Sequence, residues 1–418
     1  MKLAVVGAGS TYTPELVDGL VRMQELLPVE ELALCDIAAE RLEILSGMTR
    51  RMLARGDHSA RVTSTERLEE AVEGADAVLI QLRVGGQAVR IVDESVALAC
   101  GCVGQETTGY GGLAKALRTV PVVLEIAERV RTLAPGAWIV DFTNPVGIVT
   151  KALLDAGHRA VGLCSAAMVF QRHFARVLEV EPERIELDHV GLNHLTWEVG
   201  VRVDGVDVLP QLVGEHADRV APATGLSAEL VRRLGVVPSY YLHYFYEHDL
   251  VVEHQRGNQS RAEEVADIER QLLELYADEQ RAEKPELLGR RGGAFYSEAA
   301  VELLASLFGR GPSPRHVVNL RNNGALPFLA DDAVVEVAAR AGADGLSTVD
   351  VPSLDPVQRG LVAHVSAYEE LALDAALRGG RERVFRALLA HPLIGQADVA
   401  ETLADQMIDV NREFLAWA

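Results

Sequence analysis

Cys164 and His194 are the residue types in this chain best suited to a divalent cation. A thiol and an imidazole can share one ion and leave coordination positions open for a substrate oxygen. Each alone reads as structural, a buried core thiol and a hydrogen-bonded core imidazole, and spacing does not show that they meet. Tyr241 lies in the run Pro238-Ser239-Tyr240-Tyr241-Leu242, where a helix should begin. It is either a packing ring or, beside a cation that lowers its pKa, a base. Arg90 and Arg261 stand in acidic surroundings. As surface ion pairs they contribute little; as bidentate forks they clamp a phosphate or hydroxyls. Cys100 and Cys102 have no companion histidine and read as structural.

Such residues need a frame, and the first turn supplies its signature. Lys2 to Val6 reads as a buried strand, followed by Gly7-Ala8-Gly9-Ser10-Thr11 and then by Thr13-Pro14-Glu15, a helix start with a capping hydroxyl and a proline. Strand, glycine turn and helix N-terminus make a place for a pyrophosphate, with close backbone approach and unpaired N–H groups. The third small residue of the full fingerprint is replaced by Tyr12, which leaves an ordinary tight turn as the alternative. The next strand, Glu31 to Cys35, ends in Asp36, an acid that can hold a ribose 2′-hydroxyl and would repel a 2′-phosphate. NAD is therefore favoured over NADP.

The chain has 418 residues, 49% of them hydrophobic, which suffices for a large core in two lobes. Forty basic against 61 acidic residues give a net charge of −21, which speaks against nucleic acid or an anionic membrane as partner. The four cysteines form no disulfide framework. The sequence opens directly in a strand and has no run long enough to span a bilayer, so a reducing cytoplasm is the expected home.

Residues 1–165 alternate strand and helix. Strands are expected at Arg61–Thr65, Ala75–Leu82, Ala137–Phe142 and Arg159–Cys164. Helices are expected from Asp36 through Arg55, with Leu42, Leu45, Met48, Met52 and Leu53 inward, and from Ala114 to Leu133. This rhythm predicts an α/β fold, a doubly wound Rossmann-like parallel sheet with ligands beyond the C-terminal strand ends. Arg83-Val84-Gly85-Gly86, Gly104 to Gly112, Thr143-Asn144-Pro145 and Cys164-Ser165 lie at those ends. The stretch 104–112 is too glycine-rich to be regular structure. Antiparallel strands are expected from Arg184 to Val208, broken at Gly191-Leu192-Asn193-His194-Leu195. Beyond Leu226 the chain is mainly helical, with an extended segment at Val317–Leu320; Ala338 to Ala343 is merely alanine-rich. Residues 166–418 thus make a mixed α+β, mainly helical substrate domain.

The motifs together resemble the family 4 glycoside hydrolases, NAD- and divalent-metal-dependent glycosidases, and among them the 6-phospho-β-glucosidases. The resemblance covers nearly the whole chain. It runs through Gly7-Ala8-Gly9-Ser10-Thr11-Tyr12-Thr13-Pro14, Arg83-Val84-Gly85-Gly86, Gly104-Gln105-Glu106-Thr107-Thr108-Gly109, Phe142-Thr143-Asn144-Pro145 and Gly191-Leu192-Asn193-His194-Leu195. It continues through Arg261-Ala262-Glu263-Glu264-Val265, Lys284-Pro285-Glu286-Leu287-Leu288 and Gly292-Gly293-Ala294-Phe295-Tyr296-Ser297-Glu298. This family stands outside the two-carboxylate glycosidase scheme.

The resemblance implies NAD on Gly7, Gly9, Ser10, Thr11 and Asp36. It implies a Mn²⁺-like ion on Cys164 and His194, Tyr241 as the base at C2 supported by Glu106, and Arg90, Asn144, Asn193 and Arg261 on the sugar or its 6-phosphate. The implied reaction is oxidation at C3, loss of the C2 proton, elimination of the aglycone, addition of water at C1 and re-reduction, with NAD regenerated. A phosphorylated or free glycoside is the implied partner, and a homodimer or homotetramer the implied assembly. Two positions depart from the family: Ser165 stands where asparagine or aspartate follows the cysteine, and His243 where arginine is common. Two other readings compete. One is a 2-hydroxy-acid-type NAD dehydrogenase, on the Thr143-Asn144-Pro145-Val146 turn. The other is a non-catalytic sugar-phosphate-binding homologue, on the altered segment after Cys164.

Overall fold

The computed structural model describes residues 1–292, 295–311 and 314–418. The expected site motif 292–298 therefore has Gly293 and Ala294 outside the described residues. Six parallel strands form the first half: β1 (Lys2–Val6), β2 (Glu31–Cys35), β3 (Arg61–Thr65), β4 (Ala77–Ile80), β5 (Trp138–Asp141) and β6 (Ala160–Gly162). Their order is β3-β2-β1-β4-β5-β6, so the order reverses beside β1, where a doubly wound sheet opens a crevice. Strands β1 and β4 are buried almost throughout, which is why they read as continuous apolar runs.

The sheet does not stop at β6. Among the described residues seven more strands follow: β7 (Ile185–Leu192), β8 (Leu195–Val203), β9 (Val206–Asp207), β10 (Val237–Pro238), β11 (Arg315–Arg321), β12 (Val334–Gly342) and β13 (Gly345–Thr348). β11 pairs antiparallel with β6 through Asn319 and Gly162, and the path continues β12-β7-β8-β10. One sheet thus joins the crevice beside β1 to the β7–β8 hairpin that carries Asn193 and His194. Gly162 permits the junction: a methyl there would press on the Val146 side chain and, at 2.9 Å, on Asn319 Cβ. The larger hydrophobic core extends from β1 to the C-terminal helices. A smaller one, around Phe170, Phe174, Val201 and Leu212, lies under the hairpin.

Several local expectations are corrected. Thr13 is not a cap; it is the first residue of the helix Thr13–Arg22, and its hydroxyl donates to the Ala8 carbonyl at 2.8 Å. The helix expected from Ala114 begins at Gly109 and runs to Leu133, so Gly109–Gly112 are helical after all. These glycines serve close packing. A methyl on Gly111 would run into the Gln105 carbonyl, and one on Gly112 would lie 2.8 Å from the Thr107 carbonyl carbon. A helix for which no expectation was stated, Gly86–Ala99, carries Arg90. Ala338–Gly342 belongs to β12; its alanines fit a strand hydrogen-bonded on both sides, to β11 and to β13. The inner face 42, 45, 48, 52 and 53 of the helix Ala39–Arg55 is buried as expected.

Candidate active site

The C-terminal ends of the parallel strands open into a cavity of ≈1540 Å³. Gly7, Gly9, Ser10 and Asp36 line one end of it, and Glu106, His194 and Tyr241 the other, with Arg90, Asn144 and Arg261 also on the wall. Ligands large enough to reach from the first turn to the hairpin fit this single space.

At the nucleotide end, Gly7 adopts φ +89°, and a side chain there would meet the Gln81 carbonyl at 2.5 Å. Asp36 accepts from the Gly9 amide at 2.8 Å and from the Ala38 amide at 2.9 Å. The Gly7 and Ala8 amides donate to the Cys35 carbonyl, and the Ser10 amide to Gly7. The amides of residues 7–10 therefore all have protein acceptors, contrary to the expectation of unpaired donors, because β2 ends directly against the turn. The Ser10 hydroxyl accepts from the Tyr12 amide at 3.2 Å and keeps its own proton to donate. Thr11 is fully buried behind the turn, and its carbonyl accepts from Tyr276. What the turn offers a dinucleotide is the close backbone approach at Gly7, the Ser10 hydroxyl proton and the Asp36 carboxylate at the β2 end.

At the other end, the hairpin turn holds His194 at φ +61°. Its ring stacks on Tyr241, with centroids 3.6 Å apart and planes 10° from parallel. The Thr107 hydroxyl sits 2.8 Å from His194 Nδ1, which leaves Nε2 as the nitrogen free to ligate. Burial pushes the imidazole down to about 4, so it is neutral near pH 7. Cys164 is 5% exposed; burial first and then the Glu336 carboxylate push its thiol up to about 12, while Tyr296 and Asn193 act as hydrogen-bond partners that pull it back. Asn193 and His194 are consecutive on the β7–β8 hairpin, and Asn193 hydrogen-bonds the Cys164 side chain, which is not among the residues lining the cavity. Among the described residues no cluster of three His, Cys, Asp or Glu side chains gathers that could hold a metal. Cys164 and His194 would offer a cation two donors and leave its other positions open. Burial, with Cys164 and Tyr244 nearby, pushes the Tyr241 phenol well above 10; a cation beside it acts in the opposite direction.

Glu106 is bound by three cations: Arg83, Lys115 at 2.9 Å and Arg90 at 3.3 Å. Burial raises its pKa, but Arg83, Lys115 and Arg90 hold it well below the usual carboxylate range. Arg90 is itself buried and also pairs with Glu94 at 2.7 Å, so it is no surface ion pair. Asn144 Oδ1 is buried at the cavity wall with no hydrogen-bond partner, a carbonyl oxygen that a ligand hydroxyl would satisfy. Arg261 opens the helix Arg261–Ala277. Its guanidinium donates to Glu264 at 2.6 Å and to the Arg290 and Arg291 carbonyls at 2.8 and 3.1 Å. Asn193 lies off the main cavity, with its amide turned to Glu336 at 2.8 Å. Ser165 is buried at the N-terminus of the helix Ala166–Leu178 and makes no capping bond.

Sequence reasoning missed Arg83, Lys115, Thr107 and Tyr296 as partners of the site. Three of the four stand inside motifs quoted for the resemblance, and Lys115 one residue into the expected helix. Their residue types were visible, but their contacts are made across the fold.

Comparison with known proteins agrees with this geometry. The model described as family 4 glycosyl hydrolase matches residues 2–180, and that described as family 4 glycosyl hydrolase C-terminal domain matches residues 189–394. A probable 6-phospho-beta-glucosidase of Bacillus subtilis (strain 168) is 36% identical over 433 residues, covering 99% of this chain and 97% of the relative. A crystal structure of the Thermotoga maritima 6-phospho-beta glucosidase with manganese, NAD⁺ and glucose-6-phosphate superposes with a TM-score of 0.93 at 33% identity, covering 99% of each chain. Malate dehydrogenase from Salinibacter ruber, at 17% identity and a TM-score of 0.56 over 90% of this chain and 98% of its own, shares the fold alone. With both halves matched and the nucleotide turn, hairpin and cavity in one sheet, the chain belongs to the family 4 glycosyl hydrolases.

Proposed function

We propose that this chain hydrolyses 6-phospho-β-glucosides, with NAD regenerated in each turnover. The observation that carries the reading is the single cavity reaching from the Gly7–Asp36 turn to the stacked His194–Tyr241 pair, with Arg90 and Arg261 on its wall. NAD held on Gly7, Gly9, Ser10 and Asp36, with Thr11 buried behind them, would supply a hydride acceptor, and a Mn²⁺-type ion held by Cys164 and His194 would supply charge stabilisation for an oxyanion.

The chain's own residues then have these roles. Tyr241 takes the proton from C2, its ring held in place by His194. Glu106 anchors Arg83, Arg90 and Lys115 behind the sugar, so that positive charge faces the oxyanion side. Asn144 accepts from a sugar hydroxyl. Arg261 meets the 6-phosphate. Asn193 orients Cys164 and contacts the sugar region through it. Residues 1–165 form the NAD-binding domain and 166–418 the domain that binds metal and substrate. A homodimer or homotetramer and a cytoplasmic location belong to the same reading, which the charge of −21 supports by disfavouring polyanionic partners. Among the described residues no helix is long and apolar enough to cross a membrane.

The test is turnover of nitrophenyl 6-phospho-β-glucoside in D₂O with NAD and Mn²⁺. Deuterium should appear at C2 of the product sugar, chelator should abolish activity and Mn²⁺ restore it. Tyr241→Phe, which removes the atom that takes the proton, should slow turnover ~10²–10⁴-fold. Retention of the original C2 hydrogen sinks the mechanism, and stoichiometric release of NADH would indicate a dehydrogenase instead.

A further inference from the structure

Behind the hairpin, outside the cavity, lies a closed chain of buried polar groups that none of the steps above uses. Glu336, on β12, is 1% exposed. One of its oxygens is 3.0 Å from His189 Nε2; the other accepts from Asn193 at 2.8 Å and from Asn319 at 2.7 Å. His189 Nδ1 is in turn 2.6 Å from Glu198, which is fully buried. With a carboxylate on each ring nitrogen, His189 is doubly protonated: burial disfavours its charge, but Glu198 and Glu336 push it up to about 10.

We infer that Glu336 is the positioning residue of the cation site: it fixes the Asn193 amide against Cys164 and sets a buried carboxylate behind the thiol and His194. Two features support this. Asn193 touches both Glu336 and the Cys164 side chain. The Glu336 charge is felt at both Cys164 and His194, where it ranks directly after burial among the influences. A site with only two protein donors needs such help, since outer partners orient the ligands and tune the ion they hold.

This inference rests on the metal reading above, and the experiment separates the two. Mn²⁺ binding to the NAD-loaded protein is measured by electron paramagnetic resonance, and NAD affinity by calorimetry. Absence of Mn²⁺ binding to the wild-type protein overturns the metal reading itself. If the wild type binds, Glu336→Gln, which keeps the shape and removes the charge, should weaken Mn²⁺ about 10–100-fold, with NAD affinity unchanged and kcat recovered at saturating Mn²⁺. Asn319→Ser removes one donor to Glu336 at a point that touches neither ligand; it should weaken Mn²⁺ by a smaller factor and serves if Glu336→Gln does not fold. Mn²⁺ affinity within twofold of wild type in the folded variants, or NAD affinity falling in parallel with it, overturns the positioning role.

Discussion

Arg261 is where a single side chain has the most to decide. Its guanidinium already holds Glu264 and two backbone carbonyls, so it is preorganised at the cavity wall before any phosphate arrives. A dianion approaching a protein of charge −21 needs such a local cation. Hydrogen bonds to charged groups contribute roughly 1.5–3 kcal/mol each. Loss of a bidentate pair in Arg261→Ala should therefore raise KM for 6-phosphorylated substrate by about two orders of magnitude. KM for the unphosphorylated sugar should hardly change. Equal losses on both substrates would assign Arg261 to holding the 290–291 carbonyls. The residue types at 90, 164, 194, 241 and 261 were legible in the sequence. What was not legible is what each touches, since Thr107, Glu106 and Glu336 reach the site from other elements.

At the scale of the element, two helical glycines make a contrast. Gly111 lies in the first turn of the helix Gly109–Leu133, against the Gln105 carbonyl and 3.3 Å from the Glu106 Cα for an added methyl. Gly360 lies exposed in the helix Pro356–Arg378, with nothing within 4 Å of the same position. Exchange of a helical glycine for alanine ordinarily stabilises by roughly 0.5–1 kcal/mol, and Gly360→Ala should do so. Gly111→Ala should instead destabilise by about 1–3 kcal/mol through overpacking, and it should lower kcat by displacing Glu106 from Arg83 and Lys115. Urea denaturation of the two variants checks the opposite signs; a stabilised Gly111→Ala would show that the loop 104–108 yields freely. The same stretch explains the misjudged helix start. Glycine density reads locally as irregular chain, while here it lets a loop and a helix turn share one space.

For the whole molecule, buried histidines govern behaviour in acid. His391 is fully buried, where its Nε2 meets the Gly109 amide at 3.0 Å and the Thr108 hydroxyl at 3.1 Å. Burial, with a smaller push from His364, takes it down to about 3. The unfolded chain takes up this proton near pH 6.5 and the folded one does not. Stability should therefore fall as pH drops below about 6.5 and stop falling, for this group, near pH 3. The slope from one such group approaches ~1.4 kcal/mol per pH unit. His391→Gln, which cannot titrate, should be nearly as stable at pH 7 and lose less between pH 6 and 4, as read from urea midpoints. Identical pH profiles for the two proteins would mean that His391 does not contribute.

By itself the sequence determined the alternation of strand and helix, the nucleotide turn at 5–11, the acid after β2 and the family motifs, because hydrophobic period and turn chemistry are local properties. It could not determine that β11 would add to β6 and carry the sheet across to the hairpin, since that pairing joins Asn319 to Gly162 over a long stretch of intervening chain. Nor could it turn an alanine-rich run into β12, or place Glu336 behind Asn193, or bring Tyr241 onto the face of His194. Long-range pairing and the dry interior it creates decided these. A buried carboxylate acquires its partners, and a thiol and an imidazole their common neighbour, only when separate elements are packed together.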